Sequence, residues 1–258
     1  MERDTRLEGR NIIVTGAAQG IGRGIAERAL ELGACIAAVD MNAEVVKEFA
    51  AASPKGRVLP LVGSVADPDF AQSAVKEAVS HFGSVHGLVN NAGISRPAMI
   101  EKMTVETWKL VIDVHLSGSF YFLQAVGRHM LERARAGEKQ PGAIVNISSD
   151  GGRRGVIGQI NYGAAKAGLY GLTMSAAREW GKYSIRVNTV SFGIVETPMM
   201  QKVLNDEKLR ELYLSQIPMG RQSTPEEVAK PVCFLLSDEA SYVTGQHLSV
   251  NGGYTIGL

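Results

Sequence analysis

The chain has almost no net charge, little cysteine and no long apolar run. Its 27 lysines and arginines against 26 aspartates and glutamates leave a formal charge of +1. Bulk charge therefore offers no hold on nucleic acid or on an anionic membrane surface. The two cysteines, Cys35 and Cys233, lie far apart in apolar stretches and lack any metal-ligand spacing. They read as buried reduced thiols, with no disulfide framework and no metal site, as expected of a cytoplasmic protein. No stretch approaches 18 uninterrupted apolar residues, so no transmembrane helix is expected. The start, MERDTRLEGRNIIVTG, has no apolar run between its charges and the first strand-like segment, so no signal peptide is expected either.

Hydrophobic residues make up 45% and charged residues 21% of 258 positions, a mixture that can bury a large core. Glycine is the residue in excess. There are 29, about one in nine against an average usage of ~7%. They are neither periodic nor joined to a proline-rich composition, which excludes collagen and low complexity. Local features must be using them.

Short β-branched runs alternate with longer helical patterns almost to the end, the signature of parallel strands joined by crossover helices. Strands are predicted over 11–15, 35–40, 57–62, 86–90, 143–148, 186–191 and 247–250. Helices are predicted over 21–32, 42–52, 68–81, 104–133, 160–182, 198–215 and 225–236. Start signals include Asp67 before Pro68, Thr104 with Glu106, and Thr224 followed by Pro225 and Glu226. Runs such as IIVT, GLVN and AIVNIS are apolar on both faces, as when helices cover both sides of a sheet. The expected fold is a single α/β domain over residues 1–258, a doubly wound parallel sheet of about seven strands with helices on both faces. Ligands of such sheets sit beyond the carboxyl ends of the strands, so strand-end residues carry the chemistry.

The first strand runs into TGAAQGIG, residues 15–22, and straight into a helix. Gly16, Gly20 and Gly22, with Gln19 and Ile21 between them, let the backbone turn tightly and approach a pyrophosphate at the helix N-terminus. An ordinary tight turn would look similar. The second strand stops at Asp40, 24 residues past Gly16, where an acidic side chain accepts hydrogen bonds from adenosine ribose hydroxyls and repels a 2′-phosphate. Gln19, Met41 and Asn42 beside it are neutral, which points to NAD(H) rather than NADP(H). Asp40 as a cap for the following helix is the alternative. The fourth strand ends in Asn90-Asn91-Ala92-Gly93, where amides can tie strands together and small residues let a cofactor pass. Tyr162 and Lys166, at i and i+4 of a helical pattern, share one helix face. A nearby ammonium favours phenolate and brings a phenol, with its ordinary pKa of about 10, closer to neutral acid–base work. Ser149 ends the fifth strand, thirteen residues before Tyr162, and can hydrogen-bond a carbonyl. Alone, a Tyr-x-x-x-Lys pair is a common surface feature.

Together, TGAAQGIG, NNAG, Ser149 and YGAAK at these intervals resemble the short-chain dehydrogenase/reductase family over essentially the whole chain. That resemblance implies a Rossmann-type fold, usually a homotetramer, moving hydride between a nicotinamide and a carbonyl or secondary alcohol. By carry-over, Tyr162 is the acid in reduction and the base in oxidation, Ser149 orients the carbonyl, and Lys166 binds the nicotinamide ribose and lowers the tyrosine pKa. Ser64 and Val65 fall at the adenine contact, Asn91, Ala92 and Gly93 near the nicotinamide ribose, and Val195 and Thr197 at the carboxamide. Three positions depart from the family pattern. His115, in DVHLSG, fills the slot of an asparagine that holds a water in the proton relay. It can keep the relay and add a titration near neutral pH, or simply pack. Phe192-Gly193 replaces Pro-Gly, and Ser64 replaces an aspartate or asparagine.

Within the family, QINYGAAKAG, FGIVETPM and SYVTGQHLSVNGGY look most like 3-oxoacyl-[acyl-carrier-protein] reductases of fatty acid biosynthesis. This implies reduction of 3-oxoacyl thioesters, on acyl carrier protein or coenzyme A, to 3-hydroxyacyl thioesters. An NAD-dependent dehydrogenase of a small secondary alcohol, sugar or steroid is the enzymatic alternative. A catalytically silent nucleotide-binding protein is the alternative of another class. Carrier proteins are acidic, and Arg153, Arg154, Arg128, Arg133, Arg135 and Lys139 are the basic candidates to meet one, unless they form an ordinary solvated face. Gly151, Gly152, Gly155 and Gly158 predict a mobile stretch between Ser149 and Tyr162. The helices 104–133 and 160–182 and the apolar NGGYTIGL are the expected pairing surfaces of a homotetramer.

Overall fold

The strands form where the sequence alternation places them, and they assemble into one parallel sheet. The computed structural model describes residues 6–201 and 205–257. The strands are β1 (Asn11–Thr15), β2 (Cys35–Asp40), β3 (Val58–Val62), β4 (Gly87–Asn90), β5 (Gly142–Ser149), β6 (Ile185–Phe192) and β7 (His247–Val250). Their order is β3-β2-β1-β4-β5-β6-β7, all neighbours parallel. The order reverses between β1 and β4, which opens the crevice in which doubly wound sheets hold ligands.

The helices are α1 (Gly20–Glu31), α2 (Ala43–Ala52), α3 (Pro68–Phe82), α4 (Val105–Ile112), α5 (Gly118–Arg135), α6 (Gly151–Arg154), α7 (Ile160–Trp180), α8 (Glu207–Leu214) and α9 (Pro225–Leu236). Alternate strand residues feed two cores. Ile12 and Val14 join Ile25, Ala29, Val228 and Val232 on one face. Ile13 and Leu88 join Val75, Phe122, Val126 and Met130 on the other. Each fully buried aliphatic or aromatic side chain of this kind stabilises the fold by about 1.5–3 kcal/mol relative to exposure. Starts are capped as the sequence signals. Asp67 accepts from the Asp69 amide at 2.9 Å, and Thr104 accepts from that of Thr107 at 3.2 Å. Thr224 and Glu227 exchange bonds of 3.3 and 3.1 Å in a capping box.

Three elements differ from the sequence expectation. The helix predicted over 104–133 contains a π-helical turn at Asp113–Ser117, a local widening frequently found at functional sites. The continuous run Val105–Arg135 is long and apolar enough by itself to cross a membrane, although its most apolar window is 44% buried in the fold. Its α5 part packs Phe122, Val126 and Met130 into the core. Of the helix predicted over 198–215, the structure shows a 3₁₀ turn at Pro198–Met200 and α8, while 202–204 lie outside the described residues. The stretch predicted to be mobile after Ser149 instead contains the helical turn α6, with both its arginines tied to the C-terminal segment.

Candidate active site

Strand direction brings Ser149, Tyr162, Lys166 and His115 together at the carboxyl edge of the sheet. Ser149 closes β5, paired with Phe192 at the end of β6. Its Oγ accepts from the Gly151 amide at 3.1 Å, leaving the hydroxyl proton free for another partner. Lys166, one turn beyond Tyr162 on α7, is buried and its Nζ donates to the Ile147 carbonyl at 2.7 Å. Burial lowers its pKa to about 7, because an ammonium with a single fixed acceptor is poorly solvated. The unfolded chain therefore binds more protons than the native one above about pH 7, and this group's contribution to stability rises with pH from there until the ordinary lysine value is reached.

Tyr162 corrects an expectation. Burial raises the phenol above its ordinary value, a hydrogen bond with Ser149 offsets this in part, and Lys166 is not among the causes. The Lys166 ammonium is directed to Ile147, and lies 5.7 Å from the centre of the tyrosine ring. In this protein the phenol is thus held protonated, the state required of a donor.

His115 sits in the π turn and is 1% exposed. Its ring meets that of Tyr162 edge to face, with centroids 5.2 Å apart and planes at 83°. Nε2 lies 2.9 Å from the Ile94 amide and 2.8 Å from the Ile94 carbonyl, while Nδ1 is buried without a partner. Burial, then the charge of Lys166, push its pKa down to about 3, against a smaller upward effect of the Ile94 carbonyl. Of the two readings of His115, the one that adds a titration near neutral pH therefore fails, and the imidazole is neutral there. The ring fits because residue 93 is glycine: a Cβ there would overlap His115 Cε1.

The residues expected to hold a nucleotide line the same edge. Gln19 precedes α1 in extended conformation without a side-chain cap, so the first amides of α1, at Gly20, Ile21 and Gly22, stay available to an anion. Gly22 is obligatory, since a Cβ would collide with the Gly16 carbonyl. Asn91 donates from Nδ2 to the Thr15 and Gly16 carbonyls at 3.0 and 3.2 Å. Thr15 Oγ1 accepts from the Asn91 and Ala92 amides at 3.0 and 3.1 Å. This lattice clamps the glycine turn to the end of β4. Asp40 Oδ2 accepts from the Ala18 amide at 3.0 Å and Oδ1 from the Asn42 amide at 2.9 Å. Asn42, not Asp40, caps α2, so the capping alternative for Asp40 fails. Ser64 Oγ accepts from the Ala66 amide at 3.2 Å, and Val65 is buried beneath it. Val195 bridges Ser223, and the Thr197 methyl would lie 3.4 Å from a Cβ on Gly20, so the segment after β6 reaches over the α1 N-terminus. The open amides, the glycine cradle and the carboxylate of Asp40 fit a dinucleotide.

A family model described as Enoyl-(Acyl carrier protein) reductase matches residues 16–255. A 3-oxoacyl-[acyl-carrier-protein] reductase FabG of Thermotoga maritima is 44% identical over 255 residues, 97% of this chain and 100% of that protein. The chain belongs to the short-chain dehydrogenase/reductase family. It is an enzyme acting on a CH–OH/C=O group. The protein of the same name from Escherichia coli K12 is 41% identical over 250 residues, covering 96% of this chain and 98% of its own. Among solved structures, a short-chain dehydrogenase/reductase SDR:Glucose/ribitol dehydrogenase from Brucella melitensis superposes with a TM-score of 0.91 at 32% identity, covering 98% of this chain and 100% of that one.

Of the basic residues considered for a carrier protein, Arg153, Arg154 and Arg133 are engaged within the fold, while Arg128, Arg135 and Lys139 are exposed. Arg153 donates to Ser249 Oγ and the Gly257 carbonyl, at 2.9 and 2.7 Å, and Arg154 donates to the Tyr254 carbonyl at 3.1 Å. Arg133 pairs with Glu138 and donates to the Val85 and Pro141 carbonyls, in the loop that leads into β5 at the opposite edge of the sheet. Sequence reasoning passed over Asn161, Tyr170 and Asp150. Asn161 Oδ1 accepts from the Tyr162 amide at 2.8 Å and its Nδ2 donates to the Arg96 carbonyl at 3.1 Å. The Tyr170 hydroxyl lies 3.3 Å from the Ser149 carbonyl and 3.0 Å from Ser191 Oγ. The one available signal was position, since Asp150 follows Ser149 directly and Asn161 precedes Tyr162.

Proposed function

We propose that the protein reduces 3-oxoacyl thioesters, on acyl carrier protein or coenzyme A, to 3-hydroxyacyl thioesters with NADH. The observation that carries the reading is the convergence of Ser149, Tyr162 and Lys166 beside a dinucleotide cradle that ends at Asp40. The names of relatives 41–44% identical over nearly the full chain supply the substrate class. When bound, a nicotinamide would supply the hydride. Ser149 donates to the substrate carbonyl oxygen and fixes it. Tyr162, protonated at neutral pH, gives its hydroxyl proton to the same oxygen as negative charge develops there. Lys166 keeps donors for the nicotinamide ribose hydroxyls, and its position one turn from Tyr162 suits reprotonation of the phenolate. Asn91, Ala92, Gly93, Val195 and Thr197 wall the nicotinamide half, and Ser64 and Val65 the adenine half.

Purified protein with NADH and acetoacetyl-CoA is expected to lose absorbance at the nicotinamide band, faster than with NADPH and faster than with crotonyl-CoA. No loss with acetoacetyl-CoA or its carrier-protein ester, together with turnover of secondary alcohols or sugars by NAD⁺, would replace this reading by the alcohol dehydrogenase one.

His115 completes the proton relay in this reading. Its Nδ1 is buried without a partner next to Tyr162, and a neutral imidazole can accept there while Nε2 donates to Ile94. His115→Ala is expected to lower kcat about tenfold or more with little change in NADH affinity, and His115→Asn to keep most of the turnover. Because the imidazole does not titrate near neutrality, the profile of His115→Asn should match wild type from about pH 5 to 9. Equal small losses in both variants would leave His115 a packing residue.

The reading also takes residues 1–258 as one catalytic domain and places it in the cytoplasm as a homotetramer. Val105, Trp108 and Phe120 expose apolar surface along α4 and α5, which a second copy would cover. Light scattering is expected to give four times the 27.6 kDa chain mass, and a monomer would contradict the assembly.

A further inference from the structure

Asp150, directly after the serine assigned to the substrate carbonyl, is 3% exposed and belongs to no part of the mechanism above. Its amide donates to the Phe192 carbonyl at 3.1 Å, and its carbonyl accepts from the Arg153 and Arg154 amides at 3.0 and 2.9 Å. The side chain turns towards the C-terminal segment, where Oδ2 accepts from Asn251 Nδ2 at 2.8 Å. Oδ1 and the Thr255 hydroxyl are both buried without a partner in hydrogen-bond distance, although Thr255 is near enough to favour the ionised carboxyl. Burial acts the other way and raises the Asp150 pKa, while Arg153 and Arg154 oppose it from the same loop. The two arginines hold the same segment from outside: Arg153 through Ser249 and Gly257, and Arg154 through the Tyr254 carbonyl and a guanidinium 4.1 Å over the Tyr254 ring.

The segment has a second attachment. Residues 217–222 run back to the sheet, where Ser223 bridges Val195 just after β6. This limb is held by the Met219 amide, which donates to the Gly252 carbonyl at 3.1 Å. Gly252 and Gly253 adopt φ of +64° and +88°, and a Cβ on either would come within 2.8 Å of Ile217 or Pro218. The same few residues therefore touch the serine loop on one side and the 217–222 limb on the other.

We propose that residues 251–257 form a strap, latched by Asp150, that sets the position of Ser149 relative to the 217–222 limb, making Asp150 a positioning residue for carbonyl reduction. The glycine-rich loop from 150 to 158 has little intrinsic order, with Gly155 and Gly158 at positive φ, and the latch supplies the order that its composition lacks. The inference rests on the reductase reading only for its kinetic arm.

Asp150→Ala and a chain ending at Gly253 are each expected to speed amide exchange at Gly151, Arg153 and Arg154 in the protein without substrate. With acetoacetyl-CoA both should lower kcat by about tenfold or more, the scale set by misplacing a reacting group by a fraction of an ångström to 1 Å. KM for the thioester should rise, because the strap positions the serine assigned to the substrate carbonyl. Combining the two changes should add nothing. Asp150→Asn, whose amide can still accept from Asn251 and donate to Thr255, should restore both exchange and kcat. The strap is overturned if exchange at those amides is unchanged in both variants. It is equally overturned if Asp150→Asn is as impaired as Asp150→Ala, or if melting temperature falls while kcat and KM stay at wild type. Wild-type inactivity on acetoacetyl-CoA would count against the reductase reading alone, since the exchange arm needs no substrate.

Discussion

Tyr162→Phe is expected to lower kcat for thioester reduction by about 10²–10⁴-fold, the range for removing a positioned general acid, while leaving the fold and NADH binding intact. The substitution keeps the ring that packs against His115 and deletes only the hydroxyl. Desolvation of that hydroxyl holds its proton more tightly than in a free phenol. Losing its hydrogen bond with Ser149 offsets the relief of a desolvated polar group, so the melting temperature should change little. The direction of the pKa shift also sets the pH dependence. With the phenol protonated through neutrality, reduction should be fast at neutral pH and fall as the pH climbs towards the raised tyrosine value. Oxidation of a 3-hydroxyacyl thioester needs the phenolate and should rise with pH over the same interval. Steady-state rates in both directions, with NADH affinity from nicotinamide fluorescence, test the assignment. A kcat within tenfold of wild type would remove Tyr162 from the proton transfer.

The second large effect is expected at Asp40. In the structure one carboxylate oxygen holds the Ala18 amide and the other the Asn42 amide, so each retains a lone pair for an adenosine ribose hydroxyl. Hydrogen bonds to a charged group are worth about 1.5–3 kcal/mol, so Asp40→Ala should weaken NADH by roughly 10–100-fold. The same change removes the charge that repels a 2′-phosphate, and NADPH should be used better than by wild type. Because Asp40→Ala also frees the Ala18 amide in the phosphate turn, Asp40→Asn is the companion variant. It keeps an acceptor and loses the charge, and it should shift the NADPH/NADH ratio of kcat/KM in the same direction with a smaller loss for NADH. An unchanged ratio in both variants would sink the NADH preference.

The departures from the family pattern acquire different weights once the fold is known. Phe192 is buried in the core that includes Ile12, Val14 and Ile25, and its carbonyl receives the Asp150 amide, so this position belongs to the serine loop's support. His115 is the departure closest to chemistry, because the π turn brings its ring to within contact of Tyr162 and the glycine at 93 leaves it room. Ser64 keeps a local turn at the end of β3 through the Ala66 amide.

The sequence by itself determined the seven strands, the glycine cradle after β1 and the pairing of Tyr162 with Lys166. Each of these depends on neighbours a few residues apart: strand alternation, the conformations open only to glycine, and the helical repeat that puts i and i+4 on one face. Strand ends were equally legible, since parallel packing forces Thr15, Asp40, Asn90 and Ser149 to one edge. Tertiary structure alone decided the protonation of the site and the fate of the loop charges. Whether a phenol gains or loses affinity for its proton depends on burial and on where Lys166 points, and Ile147, nineteen residues earlier, captures that ammonium. Likewise Arg153 and Arg154 read as surface charge until β6 and β7 bring residues 249–257 back beside the serine loop. Those contacts join residues about a hundred positions apart, and no local spacing encodes them.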